Sequence, residues 1–312
     1  MAATAPALEY RKLLPSQTTS QVMRLEFLAR GIVEGFIAGR HRSPHKGFSV
    51  EFAEHRQYTP GDDLHDLDWR VYGKNDRYYI KQYIEETNLR ATILVDASAS
   101  MTYTGDQAME LDGRRLSKFA YARYLAAALA YLLIMQQDAV GLVTFDTRLR
   151  RYIPARSRAS QLRQILQELS ETAPGGETGL GGIFHNIADR IHRRSIVIVI
   201  SDLFDRAEDI VKALHHFRFR RHEVLLFHVM AEEELNFPFT GTTLFRHLEH
   251  PATELRVDAR AIRTDYLKKV GAFIGAVESA CGQIKADYVP VSTRTPFEKV
   301  LADCMSRRRH AR

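Results

Sequence analysis

Oxygen-bearing side chains follow two strongly apolar segments of the chain. Asp96 comes directly after "ATILV" and is followed at alternate positions by Ser98 and Ser100, while Asp202 comes directly after "SIVIVIS". If both segments are parallel strands, their carboxyl ends lie at the same edge of the sheet, where side chains point into a common crevice. Two carboxylates with hydroxyls form a hard oxygen site, which suits Mg²⁺ or Mn²⁺ better than zinc. The sequence therefore predicts a divalent-cation site at this edge.

A glycine-rich loop supplies a third candidate element of the site. The segment "APGGETGLGGIF" places Thr178 just before a predicted helix, and its glycines let the backbone approach closely. The loop lacks the lysine and the spacing of a phosphate-binding P-loop, so nucleotide binding is disfavoured. An isolated Asp-x-Ser-x-Ser could equally form a turn or a helix cap. The second carboxylate, Asp202, favours the metal site.

The elements that must position these side chains alternate between strand and helix from Ala91 onward. Such alternation predicts a parallel sheet, and strands that are apolar throughout are covered on both faces. Predicted strands cover 91–96, 139–145, 195–202, 223–230, 243–248, 254–257 and 286–291, and predicted helices cover 118–136, 160–170, 180–192, 207–217 and 259–280. We therefore predict an α/β fold with a doubly wound, mostly parallel sheet.

The first third of the chain has a different pattern. Apolar residues at three- and four-residue spacing predict a helix over about 20–39, and Phe48, Val50 and Phe52 alternate as in a half-buried strand. "TPGDD" is typical of a turn. We predict two domains: residues 1–89, with a helix and a small β-containing segment, and residues 90–312, the α/β domain with an irregular C-terminal extension.

Composition sets limits on location and partners. Lys and Arg number 44 and Asp and Glu 38, a net charge of +6 that is spread along the chain. The basic clusters lack a recognisable nucleic-acid-binding pattern, although Phe217 and Phe219 lie within one of them and leave that alternative open. Cys281 and Cys304 have no C-x-x-C partner, which favours a reducing compartment over a zinc site. The apolar run 119–135 is interrupted by Arg123, so we predict a buried helix that is too short for a membrane span. These features, with no apolar secretion signal at the N-terminus, predict a cytoplasmic protein that does not bind nucleic acid.

The oxygen cluster is similar to a known motif. "DASAS", Thr178 and "SDLFD" resemble, in order and spacing, the metal-ion-dependent adhesion site of von Willebrand factor A domains. The resemblance implies that Asp96, Ser98, Ser100, Thr178 and Asp202 hold Mg²⁺ or Mn²⁺, some directly and some through water. It also implies that an acidic residue of a partner protein completes the coordination.

A second motif lies upstream. The segment "GFSVEFAEHRQYTPGDDLHDLDWRVYGKNDRYYIKQYIEET" resembles the signature of the domain-of-unknown-function 58 family, although His65 stands where that family usually has arginine. Trp69 is predicted to pack in a core, and Arg56 is predicted to form ion pairs with nearby aspartates. The residues that carry the signature are Arg56, Tyr58, Pro60, Gly61, Asp62, Asp63, Asp68 and Trp69.

These features predict binding in preference to catalysis. Neutral hydroxyls leave a bound Mg²⁺ under-neutralised and able to accept a carboxylate from another protein. The family resemblance implies an adaptor or co-chaperone of a MoxR-type AAA+ ATPase, acting with a client protein in the maturation or assembly of complexes. The alternative is a metal-dependent phosphohydrolase that uses Asp96 as nucleophile, but Ser98 stands where such enzymes need an acid, and His185 and His192 are isolated.

Overall fold

The computed structural model describes residues 25, 52–57, 72–73, 78–83, 89–191, 194–250 and 252–310, with backbone alone for 52–57, 79–83 and 305–310. Most of the predicted N-terminal helix, together with Phe48, Val50 and His192, lies outside the described residues. Of the signature residues only the backbone of Arg56 is described, so the others and His65 also lie outside. The chain divides into two compact units, residues 42–88 and residues 1–41 with 89–312.

The smaller unit contains an antiparallel pair of strands. Strand β1 (Phe52–Gln57) pairs with β2 (Tyr79–Tyr83), and the pairing is irregular between Phe52 and Glu54. The backbone of Arg56 therefore lies within β1, opposite Ile80.

The larger unit is built on a six-stranded sheet. Its strands are β3 (Arg90–Asp96), β6 (Ala139–Phe145), β7 (Leu149–Arg156), β8 (Ile196–Ser201), β9 (Glu223–Met230) and β12 (Asp287–Ser292). Two small hairpins lie outside this sheet. They are formed by β4 (Glu110–Leu111) with β5 (Arg114–Arg115) and by β10 (Thr242–Arg246) with β11 (Glu254–Asp258). The sheet order is β12-β9-β8-β3-β6-β7, and all neighbours are parallel except β6 and β7. The first strand of the sheet thus lies at its centre with the chain wound to both sides, which confirms the predicted doubly wound, mostly parallel fold.

Helices cover both faces of this sheet. They are α1 (Lys118–Met135), α2 (Ala159–Glu171), α3 (Leu180–Arg190), α4 (Ala207–Phe219), α5 (Glu232–Asn236), α6 (Ala259–Gln283) and α7 (Phe297–His310), with a 3₁₀ turn at Ala99–Thr102. Successive side chains of a strand point to opposite faces, and β3 follows this rule. Ile93 and Val95 pack in the core cluster that contains α1, whereas Leu94 packs in the cluster that contains α3 and α4. The central strand is therefore buried on both faces, as its apolar sequence predicts.

Helix α1 corrects one prediction about length. Its 18 residues are long and apolar enough to cross a membrane by length and composition, although the sequence predicted that the run was too short. The helix contributes many residues to the core, and 61% of the apolar window is buried inside the protein. Its length is therefore weak support for a membrane span, because core helices of soluble proteins pass the same test. The helix begins after Ser117, whose hydroxyl accepts a hydrogen bond from the amide of Ala120.

Several elements were missed by the sequence patterns. The edge strand β7 has the sequence "LRRYIPAR", whose arginines and proline mask the apolar alternation, and proline is tolerated at a sheet edge. Helices α5 and α7 and the β4–β5 hairpin are short or strongly charged. The remaining predicted elements of the α/β unit match the observed ones within a few residues.

Gly141 is required for the close pairing of β6 with β7. A Cβ atom at this position would lie 2.7 Å from the carbonyl oxygen of Ile153 and 2.9 Å from the amide nitrogen of Ala155. Both atoms belong to backbone, so relief requires the strand to shift. We expect Gly141→Ala to lower the free energy of unfolding by about 1–3 kcal/mol in urea denaturation. Gly182→Ala in α3, where a Cβ meets nothing within 4 Å, is the control and should be neutral or slightly stabilising. Equal stability of the two variants would contradict the steric argument.

Candidate metal centre

Asp96 lies at the point where the two central strands end. It is the last residue of β3, and Ser201 is the last residue of the neighbouring parallel strand β8. The Asp96 carboxylate is fully buried; its Oδ1 accepts a hydrogen bond from the amide of Ser98 at 2.9 Å, and its Oδ2 accepts one from the Ser201 hydroxyl at 2.6 Å. The strand ends therefore meet at one edge of the sheet, as the parallel arrangement requires.

The two serine hydroxyls that follow Asp96 lie side by side. The Oγ atoms of Ser98 and Ser100 are 3.0 Å apart, and both residues are buried at the 3₁₀ turn. A hydroxyl that donates its single proton to its neighbour keeps acceptor lone pairs, which can coordinate a cation. Asp96 and the two serines therefore form one compact oxygen cluster.

The glycine-rich loop is joined to this turn through its backbone. The amide of Ala99 donates to the carbonyl of Gly176 at 2.9 Å, and the amide of Gly175 donates to the carbonyl of Ala97 at 2.8 Å. Gly176 has a φ of +80°, a conformation that side-chain-bearing residues rarely adopt. The predicted close approach of this loop to the strand end is thus built from backbone hydrogen bonds.

Thr178 follows in the same loop and contacts a residue that the sequence analysis did not consider. Its amide and its hydroxyl both donate to Oε1 of Glu249, at 3.1 Å and 2.5 Å. Within the described contacts, the Thr178 side chain is hydrogen-bonded to Glu249 and to none of the other four predicted ligands. Glu249 lies between β10 and β11 in a segment without hydrophobic periodicity, so no sequence pattern pointed to it.

Asp202 is paired with a buried lysine. The ammonium group of Lys118, which is 1% exposed, donates to Oδ2 of Asp202 at 2.7 Å and to Oε1 of Glu234 at 2.6 Å. Burial alone would lower the pKa of Lys118, but the charges of Asp202 and Glu234 outweigh it and raise the pKa above its usual range. Lys118 therefore stays charged. The sequence analysis missed this residue because a lysine at the start of an apolar helix is usually solvated.

The carboxyl of Asp96 has an unusual affinity for a proton. Burial, followed by the charge of the nearby Asp202, raises its pKa from 3.8 to about 7. Hydrogen bonds from Ser201 and Ser98 lower the pKa but do not compensate. The two predicted carboxylates are thus close enough to repel each other, and a further positive charge at this edge would stabilise both in the ionised form.

A buried histidine, His228, is hydrogen-bonded to the backbone of Asp202. Nε2 of His228 lies 3.1 Å from the carbonyl oxygen of Asp202, and Nδ1 lies 2.8 Å from the hydroxyl of Tyr288. Burial lowers the pKa of His228 to about 4, so the ring is neutral, donates from Nε2 and accepts at Nδ1. Leu203 next in the chain adopts a φ of +54°, which non-glycine residues rarely do. These contacts fix the turn that carries Asp202.

The donor set fits a hard divalent cation. The part of the chain that the structure describes has no group of three or more His, Cys, Asp or Glu side chains that could hold a metal ion. The cluster at the sheet edge instead combines two carboxylates with hydroxyls, a hydroxyl-rich set that suits Mg²⁺ or Mn²⁺. Asp96, Ser98 and Ser100 would hold the ion, while Asp202 shares its charge with Lys118. A bound cation would supply the positive charge that Asp96 lacks.

Comparisons with known proteins give several similarities. Two solved structures, BatB from Bacteroides thetaiotaomicron and an aerotolerance-related membrane protein from Bacteroides fragilis, align with TM-scores of 0.44 and 0.45 at 19% and 16% identity, covering 71% and 70% of this chain and 99% of each of theirs. Uncharacterized proteins of Mycobacterium tuberculosis and Mycobacterium bovis are 25% identical over 253 residues, which is 80% of this chain and 76% of theirs.

The strand order of the sheet, with helices on both faces, defines an α/β protein with a von Willebrand factor A-like fold. A family model described as protein of unknown function DUF58 matches residues 54–272. The chain belongs to this family.

Proposed function

We propose that this protein is a non-enzymatic, metal-dependent protein-binding module. The main support for this proposal is the arrangement of Asp96, Ser98 and Ser100 at one strand end, where the carboxylate of Asp202 is near enough to raise the pKa of Asp96. A divalent cation there would be coordinated by few charged ligands and would keep affinity for a carboxylate. The proposed ligand is an acidic side chain of a partner protein.

The proposed partner is a MoxR-type AAA+ ATPase, together with its client. This part of the proposal rests on the family resemblance of the two sequence motifs. In it the protein acts in the cytoplasm as an adaptor or co-chaperone during the maturation or assembly of other complexes. The von Willebrand factor A-like fold, a protein-interaction fold, supports the general role, and the oxygen cluster supports a role for Mg²⁺ or Mn²⁺.

The alternative function, phosphohydrolysis with Asp96 as nucleophile, has less support. A phosphohydrolase of this kind needs a carboxylic acid as proton donor two residues after the nucleophile, and Ser98 stands at that position. Ser98 at the position of the general acid has its hydroxyl against Ser100. We therefore propose protein binding as the function. A phosphatase assay tests the alternative.

Metal-dependent binding to the ATPase is the direct test of this proposal. The purified MoxR-type ATPase of the source organism would be passed over the immobilised protein in Mg²⁺ and in EDTA, and binding measured by surface plasmon resonance. We expect wild type to bind in Mg²⁺ and to lose at least about tenfold in affinity in EDTA, since a hydrogen-bonded charge contact contributes on the order of 1.5–3 kcal/mol. Asp96→Ala should bind weakly in both buffers.

The matched control is Asp106→Ala, which removes a carboxylate that is 93% exposed on the loop between the 3₁₀ turn and β4. This variant should behave as wild type. Equal binding by wild type and Asp96→Ala in Mg²⁺ and in EDTA would exclude the metal centre as the contact. Phosphate release from a generic phosphomonoester by wild type but not by Asp96→Ala would favour the alternative.

A further inference from the structure

The tip of the β10–β11 hairpin contacts both loops that flank the candidate metal centre. We call residues 247–250 together with 252 and 253 the hairpin tip. Glu249 accepts the two hydrogen bonds from Thr178, and Nδ1 of His250 lies 3.6 Å from Oε1 of Glu177. On the other side, the ring of His247 lies 6.1 Å from the ring of Phe204, two residues after Asp202. The hairpin tip therefore spans from the glycine-rich loop to the turn that carries Asp202.

The conformation of the hairpin tip is set by its own hydrogen bonds. Nδ1 of His247 accepts from the amides of Glu249 and His250, at 3.1 Å each, and the amide of His247 donates to the carbonyl of Thr253 at 3.0 Å. At the base of the hairpin, Arg246 and Glu254 form an ion pair at 2.7 Å whose side chains are largely exposed, so it contributes little to the conformation of the tip. Because the turn is ordered independently of Thr178, Glu249 is presented to the glycine-rich loop in a fixed direction.

The Glu249 carboxylate lies next to Thr178, one of the predicted metal ligands. Thr178 Oγ1 donates its one proton to Glu249 and keeps its lone pairs, so it can still coordinate a cation. At the same edge Asp202 is paired with Lys118, whereas the Asp96 carboxylate accepts hydrogen bonds from Ser98 and Ser201 and needs a positive charge to balance it. A Mg²⁺ or Mn²⁺ ion at the oxygen cluster would supply it. Glu249 thus has the chemistry that the proposed function assigns to the partner's acidic residue.

We propose that Glu249 is an internal carboxylate that closes the metal centre, and that an acidic residue of a partner must displace the hairpin tip to bind. This inference rests on the proposed function and adds a regulatory step to it. The free protein is closed by its own Glu249, which lowers the apparent affinity for carboxylates. Only a partner whose further contacts compensate for displacing the hairpin tip binds tightly, so the device gives selectivity.

The test uses Mn²⁺ and acetate with the full chain. The water-proton relaxation rate of bound Mn²⁺ reports how many exchangeable waters it carries, and acetate serves as a small carboxylate that competes with them. Four proteins are compared: wild type, Glu249→Ala, Glu254→Ala and Asp96→Ala. Glu254→Ala is the matched control because it removes the same group from the same hairpin, away from Thr178.

We expect Glu249→Ala to show higher relaxation per bound Mn²⁺ than wild type and to bind acetate about tenfold more tightly. Glu254→Ala should match wild type, and Asp96→Ala should bind no Mn²⁺. Mn²⁺ binding could require Asp96 while relaxation and acetate affinity are the same with and without Glu249. That result would contradict the role of Glu249 in closing the site but would support the metal centre itself. If no Mn²⁺ binding depends on Asp96, the closing role and the proposed function both fail.

Discussion

Asp96→Asn is expected to abolish the stabilisation of this protein by Mg²⁺ while making the metal-free protein more stable near neutral and alkaline pH. The substitution removes the negative charge from the group of three residues that would hold the ion, Asp96, Ser98 and Ser100, of which the two serines are neutral. In wild type, a ligand present at about 100 times its Kd raises the free energy of unfolding by about 2.7 kcal/mol, a shift of several degrees in Tm. In the variant this shift should vanish.

The gain in metal-free stability follows from the pKa of Asp96. The folded-state pKa is about 7, whereas the unfolded carboxyl titrates near 3.8. A carboxyl with a raised folded-state pKa opposes folding when it is ionised, so its cost grows as pH rises from the unfolded pKa and is complete above the folded one. Asparagine carries no charge and avoids this cost. In metal-free buffer, the variant should therefore exceed wild type in Tm at about pH 8 and lose that advantage at about pH 4.

The measurement is a thermal unfolding series of both proteins with EDTA or Mg²⁺, at these two pH values. Asp106→Asn is the matched control, since its carboxylate is 93% exposed and no change of Tm or of metal response is expected. A Mg²⁺-dependent rise in Tm that persists in Asp96→Asn would mean that the cation binds elsewhere. A variant less stable than wild type at both pH values would show that the hydrogen bonds from Ser98 and Ser201 outweigh the charge.

The buried strands could be predicted from sequence because burial on both faces leaves a continuous apolar signal. Predicted strands 139–145 and 223–230 coincide with β6 and β9, and the strand ends at Asp96 and Ser201 follow from where the apolar runs stop. The edge strand β7 needs burial on one face only, so its alternation was hidden by Arg150, Arg151 and Pro154. Local pattern therefore fails where an element is stabilised by its neighbour rather than by its own apolar residues.

The same distinction applies to the metal centre. Asp96, Ser98 and Ser100 are adjacent in sequence, and their grouping with Asp202 follows from the rule that parallel strands end at one edge. Lys118 and Glu249 could not be predicted in this way, because each is polar in a segment whose pattern assigns it to solvent. Their roles come from tertiary contacts with Asp202 and Thr178 across long sequence separations.

The Lys118 ammonium should be the most costly group at this edge to remove. Lys118→Met keeps the length and apolar stem of the side chain but leaves Asp202 buried without its hydrogen-bonded cation and deprives Glu234 of the same contact. Removing one partner of a buried ion pair destabilises proteins by about 3–5 kcal/mol, because the other charge stays buried and uncompensated. We expect a loss of this size in the free energy of unfolding, measured by urea denaturation in EDTA.

Two further variants separate loss of charge pairing from loss of packing. Lys212→Met on α4 makes the same substitution at a side chain that is 72% exposed and should change stability by less than about 0.5 kcal/mol. Adding Asp202→Asn to Lys118→Met should recover part of the loss, since it removes the uncompensated carboxylate. If the double variant is no more stable than Lys118→Met, the lysine acts through packing and not through charge. If charge is the cause, Mg²⁺ should also recover part of the stability of Lys118→Met, because the cation then supplies a counter-charge to the buried carboxylate of Asp202.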